Sequence, residues 1–305
     1  MSSGKPTNQS PSKTFNLAFA MKTNCTDSES YQKAARIIRE ANALLITAGA
    51  GLGVDSGLPD FRGTEGFWRA YPAFKKKGLD FYDLANPRWF KDNPRQAWGF
   101  YGHRLNLYRA TTPHAGFNIL LDWVRQIDNN YFVFTSNVDG HFQKSGFSPD
   151  RILECHGSFE FLQCSKTCTR QIWSSEKTKI QIDEELFTAT APIPQCPVCD
   201  ATARPNILMF GDSHWIEDYH HAQNQKYQQW LSSQSVNARV AIVEIGAGTA
   251  IPTVRSESEK AAREFNQTLI RINPRENHGP DPCISIASGG LESLCKIENA
   301  LRAQT

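Results

Sequence analysis

Four of the eight cysteines in this 305-residue chain form two close pairs, Cys164-x3-Cys168 and Cys196-x2-Cys199, with 27 residues between them. Four thiolates at such spacing can close a tetrahedral site around zinc, a d¹⁰ ion with no geometric demand of its own. Four protein ligands leave no position for water, so the role is structural. A redox dithiol is the alternative reading of the same pairs. Cys25, Cys155, Cys283 and Cys295 have no partner at metal spacing. Eight cysteines in 305 residues are too few for a disulfide scaffold, and the pairing points to a reducing compartment.

A second group is Gly49-Ala50-Gly51-Leu52-Gly53, directly after the apolar run Ala43–Ala48. Glycines at a strand end let the chain turn sharply and let a ligand approach the backbone. N–H groups at the start of a following helix can hold a pyrophosphate. A tight strand-to-helix turn explains the same glycines without a ligand. A third group is Tyr101 and Arg104, three residues apart in a stretch that reads as a helix, so the two share a face. A phenol beside a guanidinium is a receptor for an acyl chain ending in a carboxylate. A packed Tyr beside a solvated Arg is the plainer alternative.

These residues need a scaffold. Ser28 to Ala41 reads as an amphipathic helix. Ala43–Ala48, Tyr131–Thr135, Ile152–Cys155, Val240–Ile245 and Leu269–Asn273 read as buried strands, and 94–110 and 290–301 as helices. Strands separated by helices predict an α/β fold: a Rossmann-like parallel sheet with helices on both faces. Residues 64–93 hold aromatics, Lys and Pro but no strand, and read as a helical or loop insertion. Residues 158–203 change character around the cysteine pairs and read as a small inserted zinc-binding module. The main domain is then 27–157 plus 204–305, preceded by a disordered tail at 1–26.

Lys+Arg exceed Asp+Glu by only 33 − 31 = 2, which argues against a dedicated nucleic-acid binder. Apolar runs such as Ala43 to Ile46 and Ala241 to Val243 fall far short of the roughly 20 residues that span a bilayer, so no membrane span is expected. Residues 1–26 carry Lys5, Lys13 and Lys22, no acidic residue and no apolar signal core. The expected location is the cytoplasm, with organellar targeting left open.

The run Gly49-Ala-Gly-Leu-Gly-Val-Asp-Ser-Gly-Leu-Pro-Asp-Phe-Arg-Gly63 resembles the signature of sirtuins, the NAD-dependent protein deacylases. That family usually reads Gly-Ala-Gly-x-Ser-x-x-Ser-Gly-Ile-Pro-Asp-Phe-Arg. Thr135-Ser-Asn-Val-Asp139 is similar to its Thr-Gln-Asn-Ile-Asp, and Glu154-Cys-His-Gly-Ser158 to its catalytic His-Gly segment. Arg204-Pro-Asn-Ile-Leu-Met-Phe-Gly211 resembles its Arg-Pro-x-Val-Val-x-Phe-Gly, and Ile272-Asn273 the Ile-Asn at the adenosine end of the cofactor. The resemblance runs from about residue 30 to 300, is of bacterial type, and extends at Tyr101 and Arg104 to the Tyr-x-x-Arg of the desuccinylase and demalonylase branch.

The resemblance implies a reaction that consumes NAD. The acyl oxygen of an acyl-lysine protein or peptide displaces nicotinamide, and the acyl group ends on ADP-ribose. His156 would be the base, since imidazole titrates near pH 6.5 in water. Asn137 and Asp139, with Ser136, would hold the nicotinamide ribose and orient the carboxamide. Asp60, Phe61 and Arg62 would form the cofactor loop, with Phe61 excluding water and Arg62 neutralising phosphate. Gly49, Ala50, Gly51, Gly246 and Gly248 would let the cofactor approach, and Asn273 would meet the adenine ribose.

The chain departs from the family at Gly53, where Ser is usual, and at Ser136, where Gln is usual. Gly246-Ala-Gly248 replaces Gly-Thr-Ser, and His141 is displaced by one position, which makes it a weak rival to His156 as the base. The cofactor-side departures leave room for mono-ADP-ribosyl transfer or NAD hydrolysis in place of deacylation. A non-catalytic NAD- or ADP-ribose-binding module is a third reading, which intact His156, Asn137 and Asp139 oppose.

Overall fold

The computed structural model describes residues 29–59, 64–183, 185–190 and 192–303. The tail expected at 1–26 and the loop residues Asp60, Phe61 and Arg62 lie outside them. The strands are Ala43–Ala48 (β1), Tyr131–Thr135 (β2), Ile152–Glu154 (β3), Gly157–Cys164 (β4), Trp173–Ser174 (β5) and Ile182–Asp183 (β6). Thr188–Ala189 (β7), Ala203–Ile207 (β8), Val240–Ile245 (β9), Leu269–Ile272 (β10) and Cys283–Ile286 (β11) follow.

Every residue of β1, β2, β3, β9 and β10 is buried, the pattern of strands covered on both faces. They pair in parallel with β11 in the order β11-β10-β9-β1-β2-β3. Leu44, Ile46 and Ala48 face a core built with the helices 29–40, Gly116–Gln126 and Gly290–Arg302. Ala43 and Leu45 face the helices Asp218–Ser233 and Thr253–Glu264. This is the doubly covered parallel sheet that the strand pattern predicts. Strand order reverses between β1 and β9, and ligands of open α/β sheets bind at the carboxyl ends beside such a reversal.

Residues 64–92 form short helices, Thr64–Ala70, Pro72–Lys76, Phe81–Leu84 and Trp89–Asp92, ahead of the long helix Pro94–Ala110. A third core joins this helical stretch to a three-stranded antiparallel sheet in the order β5-β4-β8. Phe67, Tyr71, Phe74, Trp98 and Phe100 supply its bulk. A buried ion pair, Arg204 to Asp212, locks the chain leaving β8: Arg204 Nη1 donates to Asp212 Oδ1 at 3.0 Å, and Nη2 to the Ile207 carbonyl at 2.8 Å. Removing one partner of such a pair typically costs about 3–5 kcal/mol. Among the described residues no helix is long and apolar enough to cross a membrane.

Candidate functional site

Gly49 follows β1 and Gly246 follows β9, and the two loops touch. Gly49 N–H donates to the Ile245 carbonyl and Gly51 N–H to the Gly246 carbonyl, each at 3.0 Å. A Cβ on Gly49 would lie 2.6 Å from Gly246 O, and one on Gly246, whose φ is +65°, would lie 2.4 Å from Leu52 N. The close approach of the two backbones therefore demands these glycines. The helix after them is a single turn, Gly51–Val54. Gly246→Ala should cost about 2–4 kcal/mol from left-handed backbone plus overpacking, read as a lower urea midpoint. An unchanged midpoint would show that the loops separate freely.

The β2 loop is tied to the same place. Ser136 N–H donates to the Ala48 carbonyl at 3.1 Å, and Asn137 Nδ2 to the Gly49 carbonyl at 3.0 Å. Asn137 N–H is taken by Thr135 Oγ1. Asp139 Oδ1 accepts from His141 N–H at 3.0 Å, fixing the turn that follows. In place of the family serine, Gly53 has Leu58 Cδ1 3.0 Å from where a Cβ would sit and Asp139 Oδ2 at 3.6 Å.

His156 sits half-buried on the turn between parallel β3 and antiparallel β4. Its carbonyl accepts from Leu208 N–H at 2.9 Å. Gly157 has φ +77°, and a Cβ there would meet Asn206 O at 2.2 Å, so only glycine lets β8 close against this turn. Cys155 belongs to the sheet core, as strand alternation requires. Two residues before His156, burial pushes the Glu154 carboxyl up to about 7, against hydrogen bonds from Ser158, Gln223 and Gln143. His141 is fully buried against Phe117, has no hydrogen-bond partner at either ring nitrogen, and is held below its ordinary pKa by burial.

One cavity of about 410 Å³ brings together Ala50, Ser136, Asn137, Asp139, His156, Tyr101 and Arg104. His141 does not line it, nor do Gly49, Gly51, Gly246, Gly248 and Asn273, which form or brace the loops around it. Apolar walls come from Phe67, Phe81, Val138, Ile207, Met209 and Phe210. Tyr101 and Arg104 are buried, with the Arg104 carbon 5.8 Å from the Tyr101 ring centre. Burial pushes the Tyr101 phenol up to about 12, although Arg104 pulls the other way.

Residues beyond the sequence reading also belong here. Tyr108, Asp80 and Tyr82 line the cavity, as do Ala250 and Ile251 from the loop after β9. Tyr108 lies one turn beyond Arg104 on the same helix face, a spacing visible in the sequence. Asn273 binds the Ala247 carbonyl through Nδ2 at 2.8 Å and takes the Arg275 and Glu276 N–H groups on Oδ1, each at 2.9 Å. Glu276 in turn accepts from Thr249 N–H at 3.1 Å and from its hydroxyl. No motif marked Glu276.

The four cysteine sulfurs lie within 4.8 Å of one another, with Cys164 to Cys199 at 3.7 Å and Cys168 to Cys196 at 3.6 Å. Sulfurs about 2.3 Å from a tetrahedral zinc would stand about 3.8 Å apart, so the set fits that ion. Burial raises the Cys164 thiol, but backbone N–H groups of Cys168 and Lys166 and the neighbouring thiols outweigh it and bring it down to about 7.

A family model described as Sir2 family matches residues 49–231. A protein of Leptospira interrogans serogroup Icterohaemorrhagiae serovar Lai, named NAD-dependent protein deacylase, is 28% identical over 75% of this chain and 80% of its own length. One of the same name from Aeropyrum pernix is 27% identical over 82% of this chain and 88% of its own. Among solved structures, a Sir2 homolog–NAD complex superposes with TM-score 0.66 at 21% identity, covering 90% of this chain and 94% of that one. A chain described under the structural basis for the mechanism and regulation of Sir2 enzymes gives 0.64 at 23%, covering 91% and 99%. At that identity the structural likeness speaks to the fold.

Proposed function

The chain belongs to the Sir2 family, and on that footing we propose that it is an NAD-dependent protein-lysine deacylase. The observation that carries this reading is the convergence of His156, Asn137, Asp139, Ser136 and Ala50 on one cavity beside the strand-order reversal. Its volume of about 410 Å³ lies within the usual range for cofactor and ligand sites, roughly 300–1,000 Å³. Its donor set, a carboxamide, a carboxylate, a hydroxyl and an imidazole, suits a ribose bearing a carboxamide base. NAD, as co-substrate, supplies a glycosidic bond whose cleavage drives acyl transfer.

The residues divide the remaining work. Asn137 and Asp139 bind and orient, held in place by the Gly49 carbonyl and the His141 N–H. A ring nitrogen of His156 takes up the proton. Val138, Ile207 and Met209 keep water from the reacting atoms. Tyr82 and Leu208, half-exposed at the cavity, and Phe210, whose ring lies 4.7 Å from that of Tyr82, offer an apolar mouth for the stem of an acylated lysine. Arg104, buried in the same cavity as His156, supports an acyl group that ends in a carboxylate. Zinc, held by Cys164, Cys168, Cys196 and Cys199, would be structural.

Mass spectrometry of the products tests this reading. Protein and NAD are incubated with acetyl-lysine peptide, succinyl-lysine peptide, or no peptide. Nicotinamide and O-acyl-ADP-ribose are expected only where an acyl peptide is present. Free ADP-ribose or ADP-ribosylated protein without acyl peptide would replace deacylation by hydrolysis or ADP-ribosyl transfer.

A further inference from the structure

On the function proposed above, in which His156 takes up the proton, we propose that Gln223 is a positioning residue for that histidine. From the helix Asp218–Ser233 it grips the outer edge of β3 and so fixes the turn that carries the imidazole. β3 is the last strand in the order of the main sheet, so among the described residues one of its sides has no neighbouring strand. Such an edge leaves backbone N–H groups to be satisfied by other partners. Here the backbone groups point alternately to the two sides. Cys155 N–H points inward and donates to the Thr135 carbonyl at 2.8 Å. Glu154 N–H points outward and donates to Gln223 Oε1 at 3.0 Å. Gln223 Nε2 in turn donates to Glu154 Oε2 at 3.4 Å. One carboxamide thus holds both the backbone and the side chain of the residue two places before His156. Gln223 and Glu154 are both buried, at 3% and 1% exposure, where a hydrogen bond left unmade is costly.

The same helix holds this stretch of chain at a second point. Lys226, three residues on from Gln223 and so on the same face, reaches Asp150 Oδ1 at 2.7 Å. Tyr227 and Trp230 share a core with Leu153 and Cys155. On the other side of the imidazole, the His156 carbonyl accepts from Leu208 N–H at 2.9 Å. Residues 154, 155 and 156 are therefore held in succession: outward to Gln223, inward to Thr135, and across to the chain leaving β8. The last two bonds join backbone to backbone, whereas Gln223 acts through a side chain that substitution can remove. A general base works only within hydrogen-bond reach of its proton, and an ångström of misplacement can cost about a hundredfold in rate. Neither Gln223 nor Glu154 lines the cavity. The pair therefore acts on the reaction through the turn and not by touching NAD or the peptide.

The test measures turnover of acetyl-lysine and succinyl-lysine peptides at saturating NAD, and NAD binding by calorimetry. It compares the unaltered protein, Gln223→Met, Gln223→Asn, His156→Ala and the double variant of His156→Ala with Gln223→Met. Met keeps the length of Gln and removes the carboxamide. Asn keeps the carboxamide and draws it back by one methylene. Each Gln223 variant should lower kcat by about ten- to a hundredfold on either peptide, with the peptide KM and the Kd for NAD close to those of the unaltered protein. In the His156→Ala background, Gln223→Met should leave the residual turnover where it is, since no base remains to be positioned. Thermal melts establish that each variant folds, and Gln223→Asn carries the test if Gln223→Met does not. Full kcat in folded Gln223→Met, or in Gln223→Asn where only that variant folds, would overturn the positioning role and leave His156 as the base. A further fall of the same size in the double variant, or a matching loss of NAD binding, would also overturn it, since each marks a glutamine that merely supports the fold. Near-normal turnover in His156→Ala would instead overturn the assignment of the base on which the role rests.

Discussion

Replacing His156 with alanine should cut peptide-dependent nicotinamide and O-acyl-ADP-ribose formation by about 10²–10⁴-fold, the usual contribution of a general acid–base group. NAD binding should persist, measured by calorimetry or by tryptophan fluorescence. The two effects separate because different loops carry them. Asn137 and Ser136 are anchored to β1 through Gly49 and Ala48, and neither anchor involves the histidine. His156 is half-buried on its turn and contributes no side chain to the three apolar cores. Its truncation should leave the thermal transition nearly in place. The rival imidazole cannot take over, because His141 is sealed behind Phe117 and away from the cavity. Near-normal turnover in His156→Ala would sink the assignment of the base.

The main sheet was legible because its strands are buried on both sides. β1, β2 and β9 appear in the sequence as predominantly apolar runs, broken only by Thr47, Thr135 and Glu244, and each run ends where chemistry begins. What stayed hidden has physical reasons. The helix Asp218–Ser233 buries only Gln223, Tyr227 and Trp230, so its face is too sparse and polar to read as a stripe. β5, β6 and β7 are two residues each and exist through their partners, not through their own pattern. β11 is an edge strand, half-buried at three of four positions. The glycines after β1 and β9 were visible, but a single chain cannot show that the two loops touch. Their identity therefore read as room for a ligand, where Gly49 and Gly246 first make room for each other. Glu276 was hidden for the same reason: its partner Thr249 stands across a sheet crossover. Tyr108 was within reach, since helical spacing alone places it beside Arg104.

Cys196→Ser should empty the four-sulfur site and loosen the chain around it, with consequences at the cavity more than one strand away. Binding of structural zinc is worth about 10–16 kcal/mol in small zinc folds and appears there as folding energy. The helix Pro94–Ala110 holds the middle of this segment: Asn106 bonds the Ile180 carbonyl, and Arg109 those of Thr178 and Ser175. Ile180, Phe187 and Ala189 are buried in the third core, so the loosening falls on the stretches next to the cysteines. Among the described residues between β4 and β8 the regular structure amounts to the two-residue strands β5, β6 and β7, while Cys164 and Cys196, at the ends of this stretch, are buried. The segment is not peripheral to the chemistry. β4 begins one residue after His156, and β8 runs into Ile207, Leu208 and Met209, which line the cavity. These two strands pair antiparallel from Gly157–Ile207 to Cys164–Ala203, so the cysteines pin the far end of the same ladder that closes on the histidine. Metal analysis should find a zinc ion per chain in the unaltered protein and little in Cys196→Ser. Limited proteolysis should then cut between residues 165 and 195, and acyl-peptide turnover should fall with the metal. A variant that keeps full zinc would refute the four-cysteine site. One that loses zinc yet keeps its turnover would show instead that β4 and β8 hold their register through side-chain contacts such as Asn206 to Gln163.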